Sequence, residues 1–226
     1  MKKIILTVLI ASIAVVGLTG CNRKAKPSAA QNQATDAALA AKTKLADRIK
    51  KGSELTNMKY FLTITRTDGE KVNAEVWLKD GKVKSQVDTS IPKQGEILAP
   101  KGEVIVTIIT PTETIVYMPN LKKAFKAEIE GLSAPSSPMQ ETNSLKALDF
   151  KIIGAQNIDW KDCQIIEYAL PQGSAKAWVW EEQGLVIRLE ITSEGKTTIM
   201  EYNNIILGNV TDADFKLPVG VKIEEE

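Results

Sequence analysis

Residues 71–88 read KVNAEVWLKDGKVKSQVD, and their period is two. Val72, Ala74, Val76 and Leu78 alternate with Asn73, Glu75 and Trp77. After Asp80-Gly81, Val83, Ser85 and Val87 alternate with Lys82, Lys84, Gln86 and Asp88. Strict alternation marks strands with one buried face, and Asp-Gly between two such runs marks a hairpin, because glycine takes the positive φ that a type I′ turn demands. Working outward, Tyr60, Leu62 and Ile64 alternate with Phe61, Thr63 and Thr65, and Asp68-Gly69 offers the same turn chemistry. The pattern returns over 103–109, 114–118, 124–129, 150–153, 163–170, 175–181, 185–192 and 196–207. Turns fall at Pro119-Asn120, Gln183-Gly184 and Glu194-Gly195. About ten or eleven short strands at this spacing predict a mainly β chain built on a large, curved antiparallel sheet or barrel.

Two segments depart from the meander. Thr35 and Asp36 supply N-cap chemistry, and Ala38, Ala41, Leu45 and Ile49 recur at helical spacing. Lys50-Lys51-Gly52 ends the pattern with cations and a glycine, so an amphipathic helix is expected from about residue 36. Residues 131–140, GLSAPSSPMQ, are rich in Pro, Ser and Gly and read as a long connection, followed by a short helix over 141–148 with Leu145 and Leu148. Such a connection is either a lid or a solvated crossover between two halves of the sheet.

At the N-terminus, Met1-Lys2-Lys3 precedes an apolar run from Ile4 to Leu18 and then small residues. The run is shorter than the ~20 apolar residues that span a bilayer, carries Thr7, Ser12 and Gly17, and has the layout of an export signal. Leu18-Thr19-Gly20-Cys21 resembles the lipobox of bacterial lipoproteins. The resemblance implies that residues 1–20 are cleaved, that Cys21 carries a diacylglyceryl group, and that the chain is held extracytoplasmically on a cell or outer membrane. From Asn22 to about Thr35 the chain is polar and small, the composition of a tether, which leaves 36–226 as the folded region.

Composition excludes several chemistries. The chain has no histidine, so Ser-His-Asp triads, Cys-His dyads and HExxH zinc sites are out of reach. No cysteine pair has zinc spacing, and no phosphate-binding glycine loop occurs. Carboxylate pairs exist (Glu128 with Glu130, Glu181 with Glu182, Asp212 with Asp214) and read as solvated charges. No enzyme, metal or cofactor is expected. With 29 basic and 28 acidic residues, nothing draws the chain to nucleic acid. With Cys21 lipidated, Cys163 has no disulfide partner, and its apolar surroundings suit a buried thiol. Trp178 and Trp180 share one strand face, where they either pack, stack on a sugar, or wall a greasy cavity.

The segments after residue 55 are similar to the LolA/LolB-like group of bacterial lipoprotein-localisation proteins. The likeness is carried by Val76-Trp77-Leu78-Lys79-Asp80-Gly81-Lys82-Val83, by Glu113-Thr114-Ile115-Val116-Tyr117-Met118-Pro119, and by the run from Ala177 to Arg188. Tyr202-Asn203-Asn204-Ile205 and Asp214-Phe215-Lys216-Leu217-Pro218-Val219-Gly220-Val221 complete it. Val186 stands where that group often has proline. The resemblance implies an incomplete, strongly curved antiparallel half-barrel whose open concave face is covered by helices and holds acyl chains. Candidate lining residues are Tyr60, Leu62, Ile64, Val76, Leu78, Val104, Val106, Ile108, Phe125 and Ile129. The expected partners are the membrane, through the N-terminal lipid, and a lipid or acyl-chain ligand. A second reading is a non-catalytic module that presents its surface to an envelope protein, as in spore-germination lipoproteins of similar fold that support a cell-wall amidase.

Overall fold

The computed structural model describes residues 29–88, 103–127 and 135–224. The chain divides into two units, up to Ala37 and from Ala38 onward; apart from the start of the first helix, everything below concerns the second. Its strands are β1 (Asn57–Arg66), β2 (Lys71–Lys79), β3 (Lys82–Asp88), β4 (Val104–Ile109), β5 (Thr114–Met118), β6 (Lys123–Lys126), β7 (Phe150–Ile158), β8 (Lys161–Leu170), β9 (Gly173–Trp180), β10 (Leu185–Ser193), β11 (Lys196–Leu207) and β12 (Ile223–Glu224). They form one 12-stranded sheet in the order β12-β6-β5-β4-β3-β2-β1-β11-β10-β9-β8-β7. β7 and β12 do not meet, so the sheet is unclosed. Every neighbour pair is antiparallel except β12 with β6. This is the open, curved, mainly β half-barrel with two helices that the sequence led us to expect, with the two-residue β12 as the extra strand.

Two runs of consecutive hairpins, β1–β6 and β7–β11, are stitched together where β1 pairs with β11, Leu62 opposite Tyr202 and Ile64 opposite Met200. The Asp80-Gly81 turn has φ of 47° and 80°, the type I′ geometry expected of it. Asp68-Gly69 differs, because only Gly69 has positive φ. There the amide of Gly69 donates to Arg66 O and that of Arg66 to Glu70 O, a wider loop than a two-residue turn. β7 extends to Ile158, past the expected end at Ile153, because Gly154-Ala155-Gln156-Asn157 carries no alternation to reveal it.

Helix α1 spans Ala29–Gly52 and starts upstream of the expected cap at Thr35 and Asp36. Ala29-Ala30-Gln31-Asn32-Gln33-Ala34 contains no breaker, and alanine is the strongest helix former. Of its expected stripe, Leu45 and Ile49 are buried, whereas Ala38 and Ala41 are exposed. Helix α2 spans Pro138–Leu145, three residues earlier than read from sequence. Ser137 caps it: its hydroxyl accepts from Gln140 N while the Gln140 side chain accepts from Ser137 N, and Pro138 opens the first turn. The capping box Ser-Pro-Met-Gln thus turns the end of a Pro/Ser stretch into a helix start.

The sheet has cores on both faces. Directly opposed residues of antiparallel strands share a face, so the pairing register sorts every side chain. On the helix-bearing face, Leu45, Ile49 and Leu145 pack on Phe150, Ile166, Tyr168, Ala175, Ala177, Val179, Val186 and Leu189. Burying a Leu or Ile side chain contributes about 1.5–3 kcal/mol, so Leu45 and Ile49 together give α1 a substantial apolar hold on the sheet. On the opposite face, Val210 and Phe215 of the C-terminal segment cover Trp77, Val106, Ile108, Ile115, Tyr117 and Ala124.

The carboxylate of Asp212 ties this C-terminal cover to the β2–β3 turn, 2.8 Å from Lys82 Nζ and 3.1 Å from Lys79 Nζ. Its pKa is lowered, first by the hydrogen bond from Lys82 and then by that from Lys79. Asp214 is lowered too, first by the Thr211 backbone amide and then by the Thr211 hydroxyl. A depressed folded value means the stabilisation is present above the ordinary aspartate pKa of about 3.9 and is lost as pH falls through the folded values. We therefore expect the protection of amides in residues 210–217, taken relative to their intrinsic exchange at each pH, to fall below about pH 4. Asp212→Asn should flatten that dependence; an equally steep response in the variant would remove the contact from the account.

Candidate functional site

The helix-bearing face of β1, β2 and β11 carries a continuous apolar cluster. Met58, Tyr60, Leu62, Ala74, Val76, Leu78, Leu185 and Tyr202 form one buried cluster, with Leu55, Ile64, Val83, Val87 and Met139 packed against it. Register carries the same face further: Tyr60 lies opposite Val76, Val76 opposite Ser85, Ser85 opposite Thr107, Thr107 opposite Val116, and Val116 opposite Phe125. Six strands therefore contribute one transverse row to this face, apolar apart from Ser85 and Thr107.

The structure divides the expected lining residues. Tyr60, Leu62, Ile64, Val76 and Leu78 are gathered in that cluster, and Phe125 shares their face. Val104, Val106 and Ile108 do not share it. They oppose Asp88, Gln86 and Lys84, and they pack beneath the C-terminal segment with Phe215 and Leu217. The reason is physical: β4 reads Val-Ile-Val-Thr-Ile-Ile, apolar on both faces because both are covered, so alternation alone could not say which set looked toward the helices. Ile129, and the lipobox residues Leu18, Thr19, Gly20 and Cys21, lie outside the described residues.

A polar strap crosses this apolar surface. Tyr60 Oη donates to Ser136 O at 3.2 Å, and Tyr202 Oη donates to Ser136 Oγ at 3.2 Å. The Ser136 hydroxyl in turn donates to the Glu141 carboxylate. The two tyrosine rings meet edge to face with centroids 5.7 Å apart. Burial pushes both phenol pKa values up; for Tyr60 the neighbouring Tyr202 adds to this, whereas for Tyr202 the Ser136 hydrogen bond partly offsets it. Both hydroxyls therefore stay protonated and act as donors. Behind the strap, Met139 of α2 rests on the cluster and Leu145 reaches the neighbouring core.

α2 also makes a buried polar contact with the sheet. β10 carries a bulge between Val186 and Arg188, which takes the ladder out of register and leaves a backbone donor to be satisfied elsewhere. Thr142 supplies the partner: its Oγ1 accepts from Val186 N at 2.8 Å and donates to Pro138 O at 2.6 Å. Sequence reading missed both the bulge and Thr142, since neither leaves a periodic signal.

The tryptophans do not wall this surface. Trp178 and Trp180 face away from the helices, with Cys163, Ile165 and Ile187. Arg188 lies over the Trp178 ring, 4.9 Å from its centroid, and Trp178 Nε1 donates to Gln156. Burial pushes the Cys163 thiol up to about 11, more than Lys161 lowers it, so it stays protonated and inert at neutral pH. Among the described residues there is no group of three or more His, Cys, Asp or Glu side chains able to hold a metal ion. Also among them, no helix is long and apolar enough to cross a membrane.

The fold and this strapped face define a class, the open β half-barrels with helices on one face. Among solved structures the chain is similar to LprF from Mycobacterium bovis, with a TM-score of 0.55 and 13% identity over 76% of this chain and 95% of that one. It is also similar to a conserved protein of Thermus thermophilus, with a TM-score of 0.49 and 13% identity over 81% and 98%. A LolA superfamily protein from Nitrosomonas europaea scores 0.35, with 12% identity over 76% and 96%. Only the first exceeds 0.5, and at that identity it shows the fold alone. No family model and no curated protein sequence matches the chain.

Proposed function

We propose that this chain is an extracytoplasmic lipoprotein, anchored through Cys21, whose helix-bearing face takes up a lipid or a lipoprotein acyl chain. The observation that carries the reading is the strap. A broad row of apolar side chains, with few polar groups and no catalytic constellation, is the lining expected of a hydrophobic-ligand site. It is closed over Tyr60 and Tyr202 by two tyrosine hydrogen bonds to Ser136. A cover held by two neutral hydrogen bonds opens at small cost, since each contributes about 1 kcal/mol net. A cover sealed by packing alone would have little need of them.

Breaking the latch should therefore ease uptake. The Tyr60→Phe/Tyr202→Phe protein keeps the rings and loses both hydroxyls. It is expected to bind a fluorescent fatty-acid probe several-fold more tightly than wild type, because the open state no longer competes with two strap bonds, together worth roughly 1–2 kcal/mol. Unchanged affinity would mean that the strap does not gate the site. Wild-type protein with no measurable probe binding would reject the reading itself and favour a protein-binding role for the same surface.

A further inference from the structure

Three large apolar side chains that belong to no core lie along the β7 margin of the sheet. Ile153 is 47% exposed on β7, the terminal strand; Trp160, in the turn that follows, is 97% exposed; Leu39 of α1 is 63% exposed. Leu39 belongs to this margin because Lys42, one turn further along the helix, binds the Asp149 carboxylate immediately before β7 and sits 5.2 Å from the Phe150 ring centroid. Trp160 is the most telling of the three. Asp159 and Trp160 have φ of 47° and 64°, a turn that favours Asn-Gly. A tryptophan there strains its backbone while its ring is left almost wholly in solvent, so nothing inside the fold accounts for it.

The middle of this outer strand is uncharged, and the ionic groups stand at its two ends. From Ile152 to Ile158 it reads IIGAQNI, flanked by Lys151 on one side and Asp159 on the other. An incoming protein strand would have to follow the bulge between Ile152 and Gly154, and such bulges are a means by which edges refuse partners. A bilayer surface has no register to match. An indole, apolar in body with one N–H, suits the boundary between headgroups and acyl chains. The outer edge of β7, paired with no other strand among the described residues, keeps the contact shallow, because hydrocarbon cannot satisfy backbone polar groups.

We propose that the β7 margin, led by Trp160, rests in the headgroup region of a zwitterionic bilayer. The domain then lies against the membrane along this edge and does not float free at the end of its tether. The proposal rests on the anchored-lipoprotein reading above.

The test uses the full lipidated chain in phosphatidylcholine vesicles whose acyl chains carry bromine close to the glycerol end. Trp77 and Trp178 are buried and Trp180 is partly buried, so the part of the quenching that belongs to Trp160 is the part its removal abolishes. Wild-type emission is expected to fall relative to vesicles without bromine, and Trp160→Gly should lose most of that fall. Glycine suits the positive φ, so the variant should also unfold at an unchanged or higher temperature, which excludes misfolding as the cause. Equal quenching in both proteins overturns the proposal, as does vesicle-bound wild-type protein that is not quenched at all; in both cases the anchor reading stands. Protein that fails to float with the vesicles overturns the anchor reading and this proposal together. A concentration-dependent dimer abolished by Trp160→Gly would assign the margin to a second copy of the chain and overturn the bilayer contact.

Discussion

Gly184→Ala is expected to cost on the order of 3–5 kcal/mol, enough to unfold a domain of ordinary stability at moderate temperature. Gly184 sits in the β9–β10 turn at φ of +68°, and a Cβ built on it would lie 1.9 Å from Arg48 O and 3.0 Å from Ile49 N. Those atoms are α1 backbone, so no side chain can swing aside to relieve the overlap. The approach is mutual, since a Cβ on Gly52 would lie 2.4 Å from Gly184 O. Around this contact Arg48 Nη1 binds Glu181 Oε2 at 2.8 Å, and Gln164 holds the other oxygen of that carboxylate at 2.6 Å. Forcing α1 away would break these bonds and lift Leu45 and Ile49 off the sheet. Gly195→Ala is the control: its φ is +74° with nothing within 4 Å of the added carbon, so it should lose only the left-handed penalty of about 1 kcal/mol. Urea unfolding of the two variants separates the effects. Equal losses would mean that the close approach of helix and turn is not part of the folded protein.

Thr142→Val should have the second-largest effect, about 1–3 kcal/mol. Valine keeps the shape of threonine, so the change is chemical: the buried Val186 amide loses its acceptor, and Pro138 O loses the hydroxyl that bonds it. Ser144→Ala, on the same helix, removes only an exposed hydroxyl bonded to Gln140 O and should be nearly neutral. The functional consequence separates Thr142 from an ordinary core residue. With α2 loosened, the strap at Ser136 loses its footing, and the amides of residues 136–145 should exchange faster than those of β1 and β2. Uniform acceleration across the whole chain would point to global destabilisation and leave α2 without its special role.

How much of this could be read from the sequence depends on whether a feature is local. The β2–β3 hairpin is legible because Asp80-Gly81 fixes its turn and one face of β2 is polar. The end of β7 is not, since Gly154 to Asn157 has neither alternation nor branched side chains and is held by its pairing with β8. The junction of β1 with β11 joins residues far apart in the chain, and no local pattern announces it. For the candidate site, the common face of Tyr60, Leu62, Val76 and Leu78 is legible because the other face of β1 and β2 is mostly polar. Val104, Val106 and Ile108 fall on the other face, which the sequence does not reveal because a C-terminal segment, itself unreadable as a cover, buries that second face of β4. The latch was invisible for a related reason: Ser136 falls in a stretch whose composition says only that it is irregular, and its partners come from β1 and β11.

The most direct test of acyl-chain binding is native mass spectrometry of the Cys21→Ser protein, which lacks the lipidation site, purified gently from the cells that secrete it. The account predicts co-purifying masses of phospholipid or fatty acid, bound one to a chain and lost in the Leu62→Asp variant. A clean apo mass that persists after incubation with both lipids would contradict it.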